Sequence, residues 1–178
     1  MRVYVPFTNL QLATQVVLTG YDHQLIKMTA DDCYPKYLQT RWREREPFIN
    51  CEHDVVFWHG ALEQLERCDK PWCAFGMLGE PKPFYNGPAP TLCLARFTTD
   101  FIDMYPAMWI DFLKEPDVEG WPKWRYCDNW LMNYVDARGG ERCHQHHPPI
   151  TNSPIIQKSV QIGGTGATAS QSLDSITE

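Results

Sequence analysis

The chain has 178 residues, 43% of them hydrophobic and 21% charged, which is ordinary for one soluble globular domain. A segment of about 150 residues can bury roughly two-thirds of its unfolded surface, enough for an independent core. The net charge of −6 supplies no overall basic field to attract nucleic acid or an anionic membrane.

Arg2 to Phe7 reads as a buried first strand ending at a Pro6 bend. Thr8 or Asn9 is placed to cap a helix through Leu10, Ala13, Val16 and Val17, which Gly20 stops. Gln24 to Met28 is the second strand. Asp31 or Asp32 then caps a helix through Tyr34, Leu38 and Trp42, with Pro35 tolerated in its first turn. Pro47 to Ile49 opens a strand that runs into Glu52-His53-Asp54. Gly60 to Cys68 shows one apolar helical face through Leu62 and Leu65. Trp72 to Phe75 is a short strand, and Thr91 to Phe97 is another beyond a Pro- and Gly-dense loop from Gly79 to Pro90. Thr98 caps a helix through Phe101, Ile102 and Tyr105. After a second loop from Glu115 to Pro122, a helix runs from Cys127 to Ala137, closed by Gly139-Gly140. Cys143 to His147 is a last short strand. From Ser153 onward apolar periodicity is lost, and residues 153–178 read as a disordered tail.

Strands alternating with helices predict an α/β single domain over residues 1–152, with a mixed, mostly parallel sheet covered on both faces. Ligands of such sheets sit outside the carboxyl ends of the strands. Glu52 and Asp54 lie toward one of those ends. At i and i+2 on a strand they converge on one side, and two like charges so close call for a divalent cation. The alternative is a solvated acidic turn.

Asp128 shares a helix face with Leu131, Met132 and Val135, which suggests a pocket, although capping alone also favours Asp in a first turn. His144 and His146 alternate onto one side of an extended strand. Zinc held by Cys143, His144, His146 and His147 is disfavoured, because alternation separates those ligands and the usual C-x-x-C half is missing. One histidine of this run reaching a metal shared with Glu52 and Asp54 is the better metal reading, and a surface histidine run is the remaining alternative. No phosphate-binding P-loop, dinucleotide fingerprint or nucleophile elbow is present. The seven cysteines form no C-x-x-C pair, no signal-peptide core follows Met1-Arg2, and no apolar run approaches about 18 residues. Reduced thiols in a cytoplasmic protein without a membrane span are therefore expected. Of the aromatic residues, 13% of the chain, most are expected to fill core and some to line a sugar or base pocket.

The order of these motifs resembles a known family. An Arg-Val-Tyr-Val-Pro strand, an E-x-D at a strand end, Trp-Cys-Ala-Phe, a W-x-x-x-D-x-x-L helix and H-x-H-x-P together resemble small bacterial and phage glycosyltransferase-like proteins of the A-type nucleotide-diphospho-sugar transferase fold. The resemblance covers about residues 2 to 152. It implies that Glu52 and Asp54, with His146, hold Mn²⁺ or Mg²⁺ against the diphosphate of a nucleotide-sugar donor. It further implies that Pro6, Phe7, Thr8 and His53 bind that nucleotide, and that Asp128, on the helix opened by Trp124, is the acceptor-side base. The acceptor would be a saccharide, a protein or a modified nucleobase. The Gly79 to Pro90 loop, with Phe84 and Tyr85, would close over the substrate. Two departures stand out: E-x-D replaces the more usual D-x-D, and Asn152 stands where a terminal histidine is expected. The rival readings are an inactive nucleotide- or sugar-binding module of the same fold, and a metal-dependent phosphohydrolase. The acidic charge and the lack of a second dense acidic motif disfavour the phosphohydrolase.

Overall fold

The computed structural model describes residues 1–77, 90–116, 123–141 and 143–152. The tail expected from Ser153 and most of the loop expected from Gly79 lie outside the described residues. In chain order the elements are β1 (Arg2–Phe7), α1 (Leu12–Val17), β2 (His23–Lys27), α2 (Cys33–Glu44), β3 (Phe48–Cys51), β4 (Val55–Val56), α3 (Ala61–Arg67), β5 (Trp72–Met77), β6 (Pro90–Phe97), α4 (Thr99–Met104), α5 (Met108–Lys114), a 3₁₀ turn (Lys123–Tyr126), α6 (Cys127–Asp136) and β7 (His144–Asn152).

The strands form one mixed sheet in the order β2-β1-β3-β6-β5-β7-β4. β2, β1 and β3 run parallel to one another, as do β5 and β7. β6 is antiparallel to both β3 and β5, and β4 is antiparallel to β7. Strand alternation then sorts the core into two layers. One face packs Tyr4, Phe48, Ala95 and Phe97 against α2, α4, α5 and α6. The other packs Val3, Val5, Ile49, Cys73 and Phe75 against α3 and the end of α1.

Trp42 is the centre of the first layer. Its ring meets Phe48, Phe97, Phe101 and Trp109 edge-on at centroid distances of 5.9, 5.0, 6.2 and 5.6 Å. Its indole N–H donates to the Tyr105 carbonyl at 3.1 Å, so the one polar atom it buries is satisfied. This cluster absorbs much of the aromatic content seen in the sequence.

Several elements differ from the sequence reading. α1 begins at Leu12 rather than at Thr8 or Asn9, and its N-cap is Gln11, with no side-chain cap. Its spacing promised an inward apolar face that included Val16, yet Val16 is exposed. α5 was not anticipated; it buries Met108, Trp109 and Phe112. β7 continues past His147 to Asn152, so Pro148 and Pro149 lie inside the strand. Thr98 caps α4 as read, its hydroxyl accepting from the Phe101 amide at 3.2 Å. Gly139 takes a left-handed φ of 65° after α6. The next residue must also be glycine, since a Cβ on Gly140 would run into the Tyr105 hydroxyl and Val135.

Candidate functional site

The parallel strands β2, β1 and β3 end at the same edge of the sheet, and a cavity of about 310 Å³ opens there. Pro6, Phe7 and Thr8 enter it from the end of β1, and Met28 to Asp31 from the segment after β2. Tyr34 of α2, Glu52 and His53 after β3, and Trp124 of the 3₁₀ turn complete the lining. Trp124 is exposed at the rim, with the Arg125 guanidinium 5.3 Å over its ring. The cavity therefore has an aromatic wall, a cation beside that wall and one half-buried carboxylate inside.

That carboxylate belongs to Glu52, and a chain of buried groups holds it. Asn50, fully buried on β3, accepts from the Tyr37 hydroxyl at 3.0 Å. Its amide donates to the Tyr34 hydroxyl at 3.0 Å and to the Leu92 carbonyl. Tyr34 in turn donates to Glu52 Oε1 at 2.9 Å, and the Cys93 thiol donates to Oε2 at 3.1 Å. Both oxygens are thus fixed by donors, which favours the charged form. Burial and the nearby Asp128 carboxylate oppose it more strongly, so the Glu52 carboxyl is pushed up from the usual range to about 7. Asp128 opens α6, where the helix N-terminus favours an anion, and its Oδ1 accepts from the Leu92 amide at 2.8 Å.

The acidic motif does not lie on a strand. β3 stops at Cys51, and Glu52 to Asp54 form a turn leading to β4 at the far end of the sheet. The alternation argument for Glu52 and Asp54 therefore does not apply. α1 pins the turn: the Gln11 amide donates to the His53 carbonyl at 3.1 Å. The Thr14 hydroxyl lies 2.8 Å from that same carbonyl and 3.1 Å from that of Val55.

The structure brings Pro6, Phe7, Thr8, Glu52 and His53 together around one cavity. Asp54 sits half-buried in the same turn but off the lining, and contributes the least of the influences raising Glu52. Asp128 is near enough to Glu52 to raise its carboxyl, and is also off the lining. His146 is elsewhere. It packs its ring 5.3 Å from Phe75 and groups with Cys68 and Cys73 on the α3 face, whereas Glu52 contacts Tyr34 on the α2 side. The ligand set of Glu52, Asp54 and His146 is therefore not assembled, and neither is the zinc set of Cys143, His144, His146 and His147. Sequence reasoning missed Tyr34, Asn50 and Cys93 as supports of Glu52. The one signal was Asn50, a polar residue inside the apolar run Phe48 to Cys51.

All seven cysteines are free thiols. No helix among the described residues is long and apolar enough to cross a membrane.

No family model and no curated protein matches the chain. Among solved structures, it is similar to a glycosyltransferase involved in the glycosylation of the major capsid of PBCV-1. The TM-score is 0.55 at 10% identity, covering 90% of this chain and 98% of that one. It also aligns with a protein of Bacillus anthracis described as a glucose-1-phosphate thymidylyltransferase, in complex with a sucrose. That TM-score is 0.47 at 6% identity, covering 93% of this chain and 76% of the other, too weak to argue from. The likeness to the PBCV-1 protein is one of fold: the chain is a single mixed α/β domain of nucleotide-diphospho-sugar transferase-like architecture.

Proposed function

We propose that the chain is a glycosyltransferase that takes a sugar from a nucleoside-diphosphate donor bound at the carboxyl ends of β2, β1 and β3. One observation carries the reading: the cavity lies where open α/β sheets bind ligands, and a carboxylate is held inside it by dedicated donors. The fold shared with the PBCV-1 glycosyltransferase supports it.

In this reading Pro6, Phe7, Thr8 and His53 contact the nucleotide, and Arg125 beside Trp124 draws the diphosphate toward the rim. Glu52 fits a divalent cation, because Mg²⁺-like ions take one or two carboxylates together with substrate phosphates and water. Asp54, in the same turn, is the second acid of that set, acting through water. His146 drops out of it. When bound, Mn²⁺ or Mg²⁺ would supply Lewis-acid neutralisation of the diphosphate leaving group. The chain's own residues bind the donor, exclude water from it and hold Glu52 at a proton affinity that lets it ionise near neutrality.

Asp128 is proposed to accept the proton of the acceptor hydroxyl in an inverting reaction. Its bond to the Leu92 amide offers a competing assignment, anchoring β6. Asp128→Asn separates the two. A base role predicts turnover reduced by about 100-fold or more with donor binding kept, whereas an anchoring role predicts little change, because the Asn side-chain oxygen still accepts from the Leu92 amide.

The direct test incubates the full chain with a panel of nucleotide sugars and Mn²⁺ or Mg²⁺ and follows release of nucleoside diphosphate. Cation-dependent release supports the transferase. Binding with no release at any cation concentration, across simple saccharide acceptors, leaves the binding module as the correct reading.

A further inference from the structure

We infer that Cys68, Cys73 and His146 form a soft-metal site for Zn²⁺ on the α3 face of the sheet, remote from the Glu52 cavity. The three residues come from different elements. Cys68 is the C-cap of α3, Cys73 lies in β5, and His146 lies in β7, which runs parallel to β5. One ligand atom of each lies within 4.8 Å of the others. The ligand separations of a tetrahedral zinc site with Zn–S near 2.3 Å and Zn–N near 2.0 Å are about 3.5–3.8 Å for two thiolates and one imidazole, so closure needs movement of at most about 1 Å.

A second observation points to a ligand. His146 is only 7% exposed, yet its Nε2 is buried with no hydrogen-bond partner. A buried imidazole nitrogen without a partner costs free energy that a coordinate bond would recover. Both thiols are free, and Cys73 is buried within reach of Arg96, whose cation favours a thiolate. Two thiolates and one neutral imidazole give a neutral complex with Zn²⁺, which suits partial burial. Cys68 and His146 also line an open groove with His59, Glu63, Arg67, Asp69 and His144, which leaves room for water to complete the coordination. Burial pushes the Cys73 thiol up to about 12, so binding must expel a proton and will strengthen as pH rises. The inference stands on these soft donors and does not depend on glycosyl transfer.

The test is a titration of the full chain, reduced and chelator-treated, with Co²⁺ and then Zn²⁺. The expected result is a thiolate-to-cobalt absorption band with the strong visible bands of tetrahedral cobalt, saturating at one ion per chain and bleached by zinc. Cys68→Ala, at a half-buried position, should weaken binding by about 100-fold or more. Cys33→Ala should leave the titration unchanged. If Cys68→Ala misfolds, alkylation of the native chain still decides: zinc should protect the half-buried Cys68 but not Cys33. The absence of cobalt bands in folded protein, or equal alkylation of Cys68 with and without zinc, overturns the site.

Discussion

Both oxygens of Glu52 accept hydrogen bonds that favour its charge, while burial and Asp128 act against it, and the opposing pair prevails. The consequence is a definite pH dependence. A carboxyl raised from 4.5 to about 7 on folding contributes stability that is fully present below its unfolded value and is lost as pH rises through about 7. Glu52→Gln cannot ionise and escapes that loss. The unfolding free energy of the variant relative to the native chain, read from chemical denaturation, should therefore rise between pH 4.5 and 7 by an amount on the order of 1–3 kcal/mol. A difference that stays flat across this window would show that Glu52 is not strained. The same balance means that cation binding at Glu52 competes with a proton, so it should be weaker at pH 6 than at pH 8. In the sequence, Glu52 was visible as an acid ending an apolar run. Its supports were not, because Tyr34 and Cys93 lie 18 and 41 residues away and only the fold brings them close.

The element that sets the site is α1, although it is short and uncapped by any side chain. It acts through Thr14, which is fully buried and whose hydroxyl meets the His53 carbonyl of the acidic turn and the Val55 carbonyl of β4. Thr14→Val keeps the shape and removes that buried hydroxyl donor, which should cost about 1–3 kcal/mol in chemical denaturation. Nucleotide binding should weaken beyond what the lost stability explains, while Thr14→Ser should largely retain it. Equal nucleotide affinity in Thr14→Val would mean that the turn holds without α1. This arrangement also explains the misread start of the helix: residues 8–11 stay outside α1 between the cavity and the turn, with Leu10 and Gln11 tucked toward the core. Thr98, by contrast, was legible because its capping bond is local and reaches only to Phe101.

At the scale of the whole molecule, the alternation of strands and helices was readable, and so was the placement of Glu52 at a strand's carboxyl end. The insertion of antiparallel β6 between β3 and β5, and the pairing of β4 with β7, were not, since both depend on partners distant in sequence. The Trp42 cluster joins α2, β3, β6, α4 and α5, so Trp42→Ala should cost about 3–5 kcal/mol and loosen the face that carries Tyr34 and Tyr37. A loss below about 1 kcal/mol would mean that the layer repacks around the gap. The central claim is that the cavity between β1, β2 and β3 holds a nucleoside diphosphate against a cation at Glu52. Its most direct test is a thermal-shift screen of nucleoside diphosphates and their sugars, with and without Mn²⁺, on the native chain and on Glu52→Gln in parallel. The account predicts that at least one nucleotide raises the melting temperature of the native chain, more so with Mn²⁺, and that the Mn²⁺-dependent part vanishes in Glu52→Gln. A nucleotide response equal in the two proteins, or no response to any nucleotide, would contradict it.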